Sequence, residues 1–162
     1  MEQRGFTWIE LLLVLAALAA LLLMAIPSMQ DGVLKRQVKD AMTIAAVAEP
    51  AVQAAYSLSG VMPADNKAAG LPDADKIVSQ TVKSVNVVNG AVTITFGNNA
   101  SQSITGMTLT LRPAVVPDQK IVPIAWLCHD VAVPGGMQVM GDDLTSIPPK
   151  WLPVECRGSK GS

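Results

Sequence analysis

Between Leu11 and Ile26 the chain carries no charged or polar side chain, and a regular spacing of apolar and polar positions begins only beyond that run. At ~1.5 Å per residue, a helix from Phe6 to Ile26 is just long enough to span a bilayer. Farther on, Leu34, Val38, Ala41, Ala45, Ala48, Val52 and Ala55 recur at alternating steps of four and three, which draws one apolar stripe along a helix. Lys35, Arg36, Lys39, Asp40 and Thr43 fall off that stripe. The pattern predicts that the apolar helix continues, now amphipathic, to about Leu58. Pro50 is expected to bend it rather than end it, because the stripe resumes afterwards. Gly60 and Pro63 mark the exit.

The period then changes. Val61 to about Gln80 reads as a connecting region rich in Asn, Asp, Gly and Pro. Val85 and Val87 alternate with Ser84 and Asn86, and Asn89-Gly90 is a two-residue hairpin signal. Val92, Ile94 and Phe96 alternate with Thr93 and Thr95. A second turn covers Asn98 to Ser103. Met107, Leu109 and Leu111 alternate with Thr108, Thr110 and Arg112. A fourth strand is expected over Ile124 to Cys128, with Ile124, Trp126 and Cys128 on one face. The expected fold class is α+β: a long N-terminal helix whose stripe covers the one apolar side of a four-stranded antiparallel sheet. From His129 the chain is irregular, with Pro134-Gly135-Gly136 and Pro148-Pro149.

Charge changes this picture little. Lys and Arg number 12 and Asp and Glu 13, so nothing draws the whole chain toward nucleic acid. The two cysteines, Cys128 and Cys156, read differently in different compartments: one disulfide in an exported chain, two free thiols in the cytosol. A bond between them would tie the irregular end to the last strand, worth about 3–4 kcal/mol by chain entropy. The N-terminus therefore has to settle export. An ordinary secretory signal needs a basic start and a small-residue cleavage site. Here Arg4 is offset by Glu2, and Ile26-Pro27-Ser28-Met29 follows the apolar run. Glu10 stands at the edge of a segment otherwise suited to lipid, where a carboxylate calls for a partner. A free amine at Phe6, released by cleavage after Gly5, would be one.

Arg4-Gly5-Phe6-Thr7-Trp8-Ile9-Glu10-Leu11, followed by the apolar run, resembles the prepilin processing motif of the type IV pilins. The resemblance implies cleavage between Gly5 and Phe6 by a prepilin peptidase, N-methylation of Phe6, and a role for Glu10 in docking and assembly. Pro27 matches the family's helix proline. Two residues depart from the pattern. Trp8 replaces an aliphatic residue, and Ala19 stands where many members have glycine. Alanine favours helix by ~1 kcal/mol over glycine, so less unwinding is expected near Ala19. The family's C-terminal disulfide loop corresponds to Cys128 and Cys156. The ending Lys150-Trp151-Leu152-Pro153 through Cys156-Arg157 is similar to the type IVa branch. Lys35, Arg36 and Lys39 put more positive charge after the apolar run than before it. The motif, rather than that charge count, sets the expected orientation, with the leader facing the peptidase.

By that resemblance the chain divides into a leader (1–5), a membrane or filament-core helix (6–27), an amphipathic helix (28–60) and a disulfide-bonded sheet domain (61–162). The expected function is a pilus subunit, held in membrane lipid of the bacterial inner membrane and then polymerised by an assembly platform into an extracellular filament for adhesion, twitching or DNA uptake. The partners are copies of the same chain, the peptidase and the platform. A minor pilin, one capturing DNA included, is the first alternative and a type II secretion pseudopilin the second. No cofactor, metal or catalytic group is expected. Cys128 and His129 are strand neighbours pointing to opposite faces, which argues against a catalytic pair. Asp73, Asp75, Asp142 and Asp143 lack calcium-loop spacing and read as solvated turn acids. His129 reads as an exposed strand-end or loop residue. Asn99-Ala100-Ser101 is a weak sequon, and Ser162 a candidate for terminal O-glycosylation by family resemblance. Lys35, Arg36 and Lys39 do not suffice to indicate DNA binding.

Overall fold

The computed structural model describes residues 7–158, without the side chains of 23–29. It forms two compact units, one ending at Val33 and one starting at Leu34. The first is helix alone. Helix α1 spans Trp8–Ala45 and passes Ala19 without interruption. Its residues from Leu34 onward belong to the second unit, where Leu34, Val38, Ala41 and Ala45 are buried.

The expected single bent helix is two helices. After Ala45 the chain turns through Ala46–Ala48 and restarts as α2, Glu49–Ser59, with Pro50 in its first turn. Proline has no N–H to continue the ladder, and its ring crowds the carbonyl four residues earlier. It is tolerated in a first turn, so the helix restarts there. Tight bonds from Val47 N–H to Ile44 O (3.2 Å) and Ala48 N–H to Ala45 O (2.8 Å) carry the chain across the break. The stripe survives it, since Ala48 and Val52 are both buried. Its last member is Tyr56 rather than Ala55, which is only partly covered. Gly60 ends α2 at φ 77°, where its N–H reaches Tyr56 O.

The sheet follows as β1 Val82–Val88, β2 Ala91–Phe96, β3 Thr108–Val115 and β4 Ala125–Cys128, paired antiparallel in that order. Asn89 and Gly90 both have positive φ, 49° and 82°, as a tight primed hairpin turn requires. The alternation holds on the core side: Val82, Val85, Val87, Val92, Ile94, Phe96, Leu109 and Leu111 are buried with the helical stripe in one core. Asn66, in the connecting region, closes the outer edge of β1. Its side chain donates to Val85 O (3.0 Å) and accepts from Val87 N–H (2.6 Å). An unpaired edge is thereby covered by a side chain that mimics a strand.

Two features of the sheet differ from expectation. A short strand β5, Gln138–Val139, pairs with the end of β3, making five strands. Strand β3 runs beyond Arg112, through Pro113, where β2 has ended; Met140 N–H reaches Pro113 O at 2.9 Å. The second face is not simply open. Thr93 and Thr110 are buried and hydrogen-bonded to each other at 3.0 Å. The segment 144–147 lies over them: Leu144 N–H donates to Thr110 Oγ1, and Thr110 N–H to Thr145 Oγ1. The threonines looked like solvent-face residues because nothing in their alternation signals a loop returning from 34 positions beyond Thr110.

Candidate assembly surface and C-terminal loop

Thr7 and Glu10 open α1 as a reciprocal pair. Glu10 Oε2 accepts the Thr7 backbone N–H at 3.0 Å and the Thr7 hydroxyl at 2.9 Å, while Glu10 N–H points to Thr7 Oγ1 at 3.4 Å. This is a capping box, which satisfies donors that a helix start leaves without partners. Its T-x-x-E signature stands in the sequence beside the membrane-edge and docking readings of Glu10. Both bonds fall on Oε2; Oε1 has no donor among the described residues.

Past that turn, every large apolar side chain described up to Leu22 is open. Trp8 is 74% exposed, Leu13 66% and Leu22 65%, and Leu11, Leu12, Val14, Leu15, Leu18 and Leu21 are exposed as well. A helix apolar on every side is built to be surrounded, and a continuous exposed apolar surface marks contact with protein or membrane. Among the described residues no helix is long and apolar enough to cross a membrane. The described side chains of the run stop at Leu22, short of the expected end at Ile26. Gly5, Phe6 and Ser162 lie outside the described residues.

At the other end, Cys128 and Cys156 are disulfide-bonded, with Cα atoms 5.0 Å apart. Both are buried. The bond closes a segment that would otherwise be held by short 3-10 turns, at Pro149–Trp151 and Val154–Cys156, and by its contacts with β3. Lys150 Nζ lies 4.5 Å from the Trp151 ring centre, a cation–π contact.

Inside this loop His129 corrects the expectation of an exposed residue. Its side chain is only 21% exposed, its backbone is left-handed at φ 50°, and Nδ1 lies 3.0 Å from Asp143 Oδ2. Arg112 donates to the His129 carbonyl at 2.7 Å. Asp143 is likewise no solvated turn acid. Burial pushes its carboxyl up, but hydrogen bonds from Thr145 and the His129 ring outweigh that and hold it below the usual aspartate range. Asp130 Oδ2 approaches the other ring nitrogen, Nε2, at 3.7 Å. Among the described residues, Asp73, Asp75 and Asp142 join no such cluster. A shallow cavity of about 450 Å³ between α2 and β4 is lined by Glu49, Pro50, Gln53, Ala54, Ile124 and Trp126. Burial there raises the Glu49 carboxyl above its ordinary value of 4.5.

Helix, sheet and disulfide loop together match a known family: residues 35–157 fit the model of pilin, the bacterial filament protein. The chain belongs to the type IV pilin family. It is 32% identical to a fimbrial protein of Neisseria meningitidis serogroup B, over 96% of this chain and 94% of the relative. It is 33% identical to the type IV major pilin protein PilE1 of Neisseria gonorrhoeae, over 96% of this chain and 87% of the relative. It is 38% identical to the fimbrial protein EcpC of Eikenella corrodens, over 68% of this chain and 74% of the relative. Pilins are structural filament subunits, so this pilin is not an enzyme.

Proposed function

We propose that this pilin is a major subunit of a surface filament, polymerised through the N-terminal part of α1. Residues 1–5 are a leader. A prepilin peptidase cuts between Gly5 and Phe6 and methylates the new amine. Before assembly the uncharged run Leu11–Ile26 rests in inner-membrane lipid; an assembly platform then moves it into a filament core made of the same segment from other copies. Both surroundings are apolar, so the transfer changes apolar burial little. The observation that carries this reading is the unbroken exposure of large apolar side chains around α1 as far as Leu22. Glu10 adds direction. Its Oε2 serves the capping box, which leaves Oε1 to take the Phe6 amine of a neighbouring subunit and set the axial step. The filament serves adhesion, twitching or DNA uptake.

The test is to shear filaments from cells and sequence the dominant subunit from its N-terminus. The expected start is methylated Phe6. A start beyond Ile26 overturns the reading, and a trace amount of this chain in sheared filaments makes it a minor pilin. Glu10→Val should leave the precursor stable and processed but block or strongly weaken assembly. Abundant normal filaments from that variant would refute the amine pairing.

A further inference from the structure

The His129 ring lies between two carboxylates, and its two nitrogens are used differently. Nδ1 meets Asp143 Oδ2 at 3.0 Å, so the hydrogen bond puts the proton on Nδ1. Asp143 is fixed for this contact, because its other oxygen accepts the Thr145 N–H at 3.0 Å. On the far side of the ring, Nε2 faces Asp130 Oδ2 at 3.7 Å. With Nδ1 engaged by Asp143, Nε2 is the ring nitrogen left to ligate a cation, and Asp130 Oδ2 lies beside it.

We propose that His129 Nε2 and Asp130 form a binding site for a borderline divalent cation such as zinc, with Asp143 as the orienting partner of the ring. The carboxylate–imidazole–metal arrangement is how proteins usually fix a metal-bound histidine. At metal–ligand distances of ~2.0–2.1 Å, two zinc ligands at the tetrahedral angle lie about 3.4 Å apart. The observed 3.7 Å is a few tenths wider, and the exposed Asp130 side chain is free to make up the difference. The support is rigid: Cys128, next in the chain, is disulfide-bonded, and Arg112 holds the His129 carbonyl. An imidazole donor selects zinc, nickel or copper over calcium and magnesium, which prefer oxygen ligands throughout. Water completes the coordination.

The test uses the untagged full-length chain in detergent, titrated with zinc chloride against a chromophoric chelator. One zinc per chain is expected, with the His129 Nε2 resonance shifted in nitrogen NMR. Asp130→Asn and His129→Gln should each weaken binding at least tenfold, and Asp143→Asn ~10–100-fold, the usual effect of losing an orienting partner. Asp130 is exposed, so its variant tests the site without endangering the fold, which a metal-free thermal melt verifies. Asp142→Asn should bind as the parent does. Absence of zinc binding, parental affinity in the Asp130 variant, or an equal loss in the Asp142 variant would each overturn the proposal. Displacement of zinc by equimolar calcium would do the same.

Discussion

Leu13 and Val38 lie on the same helix, yet Leu13 is 66% exposed and Val38 is fully buried. The first unit presents leucines on all sides and provides nothing to cover those described. The second uses smaller residues, Ala41, Ala45, Ala48 and Val52, along one stripe, and buries all of them with the sheet in its core. The difference lies in where the apolar surface is meant to be satisfied. A narrow stripe with polar flanks is completed within the chain. An all-round apolar surface has to be completed from outside the chain. Apolar content alone does not separate them; angular distribution does.

The largest effect should come from placing one charge in each region. Val38→Asp puts an unpaired carboxylate into a closed core, which costs about 3–5 kcal/mol, a large part of a domain's stability. The sheet domain should lose its cooperative melt, and filaments should vanish with it. Leu15→Asp should also abolish filaments, yet leave the melt of the sheet domain unchanged, because Leu15 is exposed within the chain. Melting by circular dichroism and yield of sheared filaments read the two separately. A Leu15 variant that unfolds the domain would break the comparison.

The disulfide tests how far the second unit completes itself. Cys128→Ser with Cys156→Ser opens a loop of sequence separation 28. The chain-entropy model puts the loss at about 3–4 kcal/mol. A large fall in Tm is expected, equal to the fall produced by reductant on the parent. Unchanged melting under reducing conditions would mean that the contacts of 144–147 with β3 hold the loop unaided.

Much of this arrangement is legible before folding. The stripe, the Asn89-Gly90 hairpin and the core faces of β1 to β3 follow from periodicity, because each residue's neighbours along the chain share its environment. What escaped depends on distant segments. Thr93 and Thr110 alternate like solvent-facing residues, and only the return of Leu144 and Thr145 buries them. Strand β5 is two residues long, too short for any period to register. His129 and Asp143 are fourteen positions apart in an irregular segment, so no spacing rule joins them. Pro50 was visible, but whether it bends or ends a helix depends on whether the chain can turn at 46–48 while keeping Ala45 and Ala48 buried. The Thr7–Glu10 capping box stands in the sequence as T-x-x-E, beside the docking reading of Glu10.

The smallest effect concerns Glu49, a charged residue partly buried where the second unit otherwise closes over apolar groups. Burial raises its carboxyl above 4.5, so the folded state favours the protonated form. Its contribution to stability is therefore fully present below the unfolded value and is lost as pH rises through the higher folded value. At neutral pH the ionised side chain is a small net burden, and Glu49→Gln removes it. The start of α2 works the other way, since a negative charge in a first helical turn is favoured. That attraction is screened by salt, whereas the cost of burying the charge is screened much less. The variant should therefore melt about 1 °C above the parent at pH 7, a figure kept small because the group stays partly open to solvent. The gain should widen in high salt and vanish below about pH 4, where both side chains are neutral. A gain that persists in acid would point to packing against Trp126 instead of charge, and a loss at neutral pH that salt abolishes would show that the helix start outweighs burial.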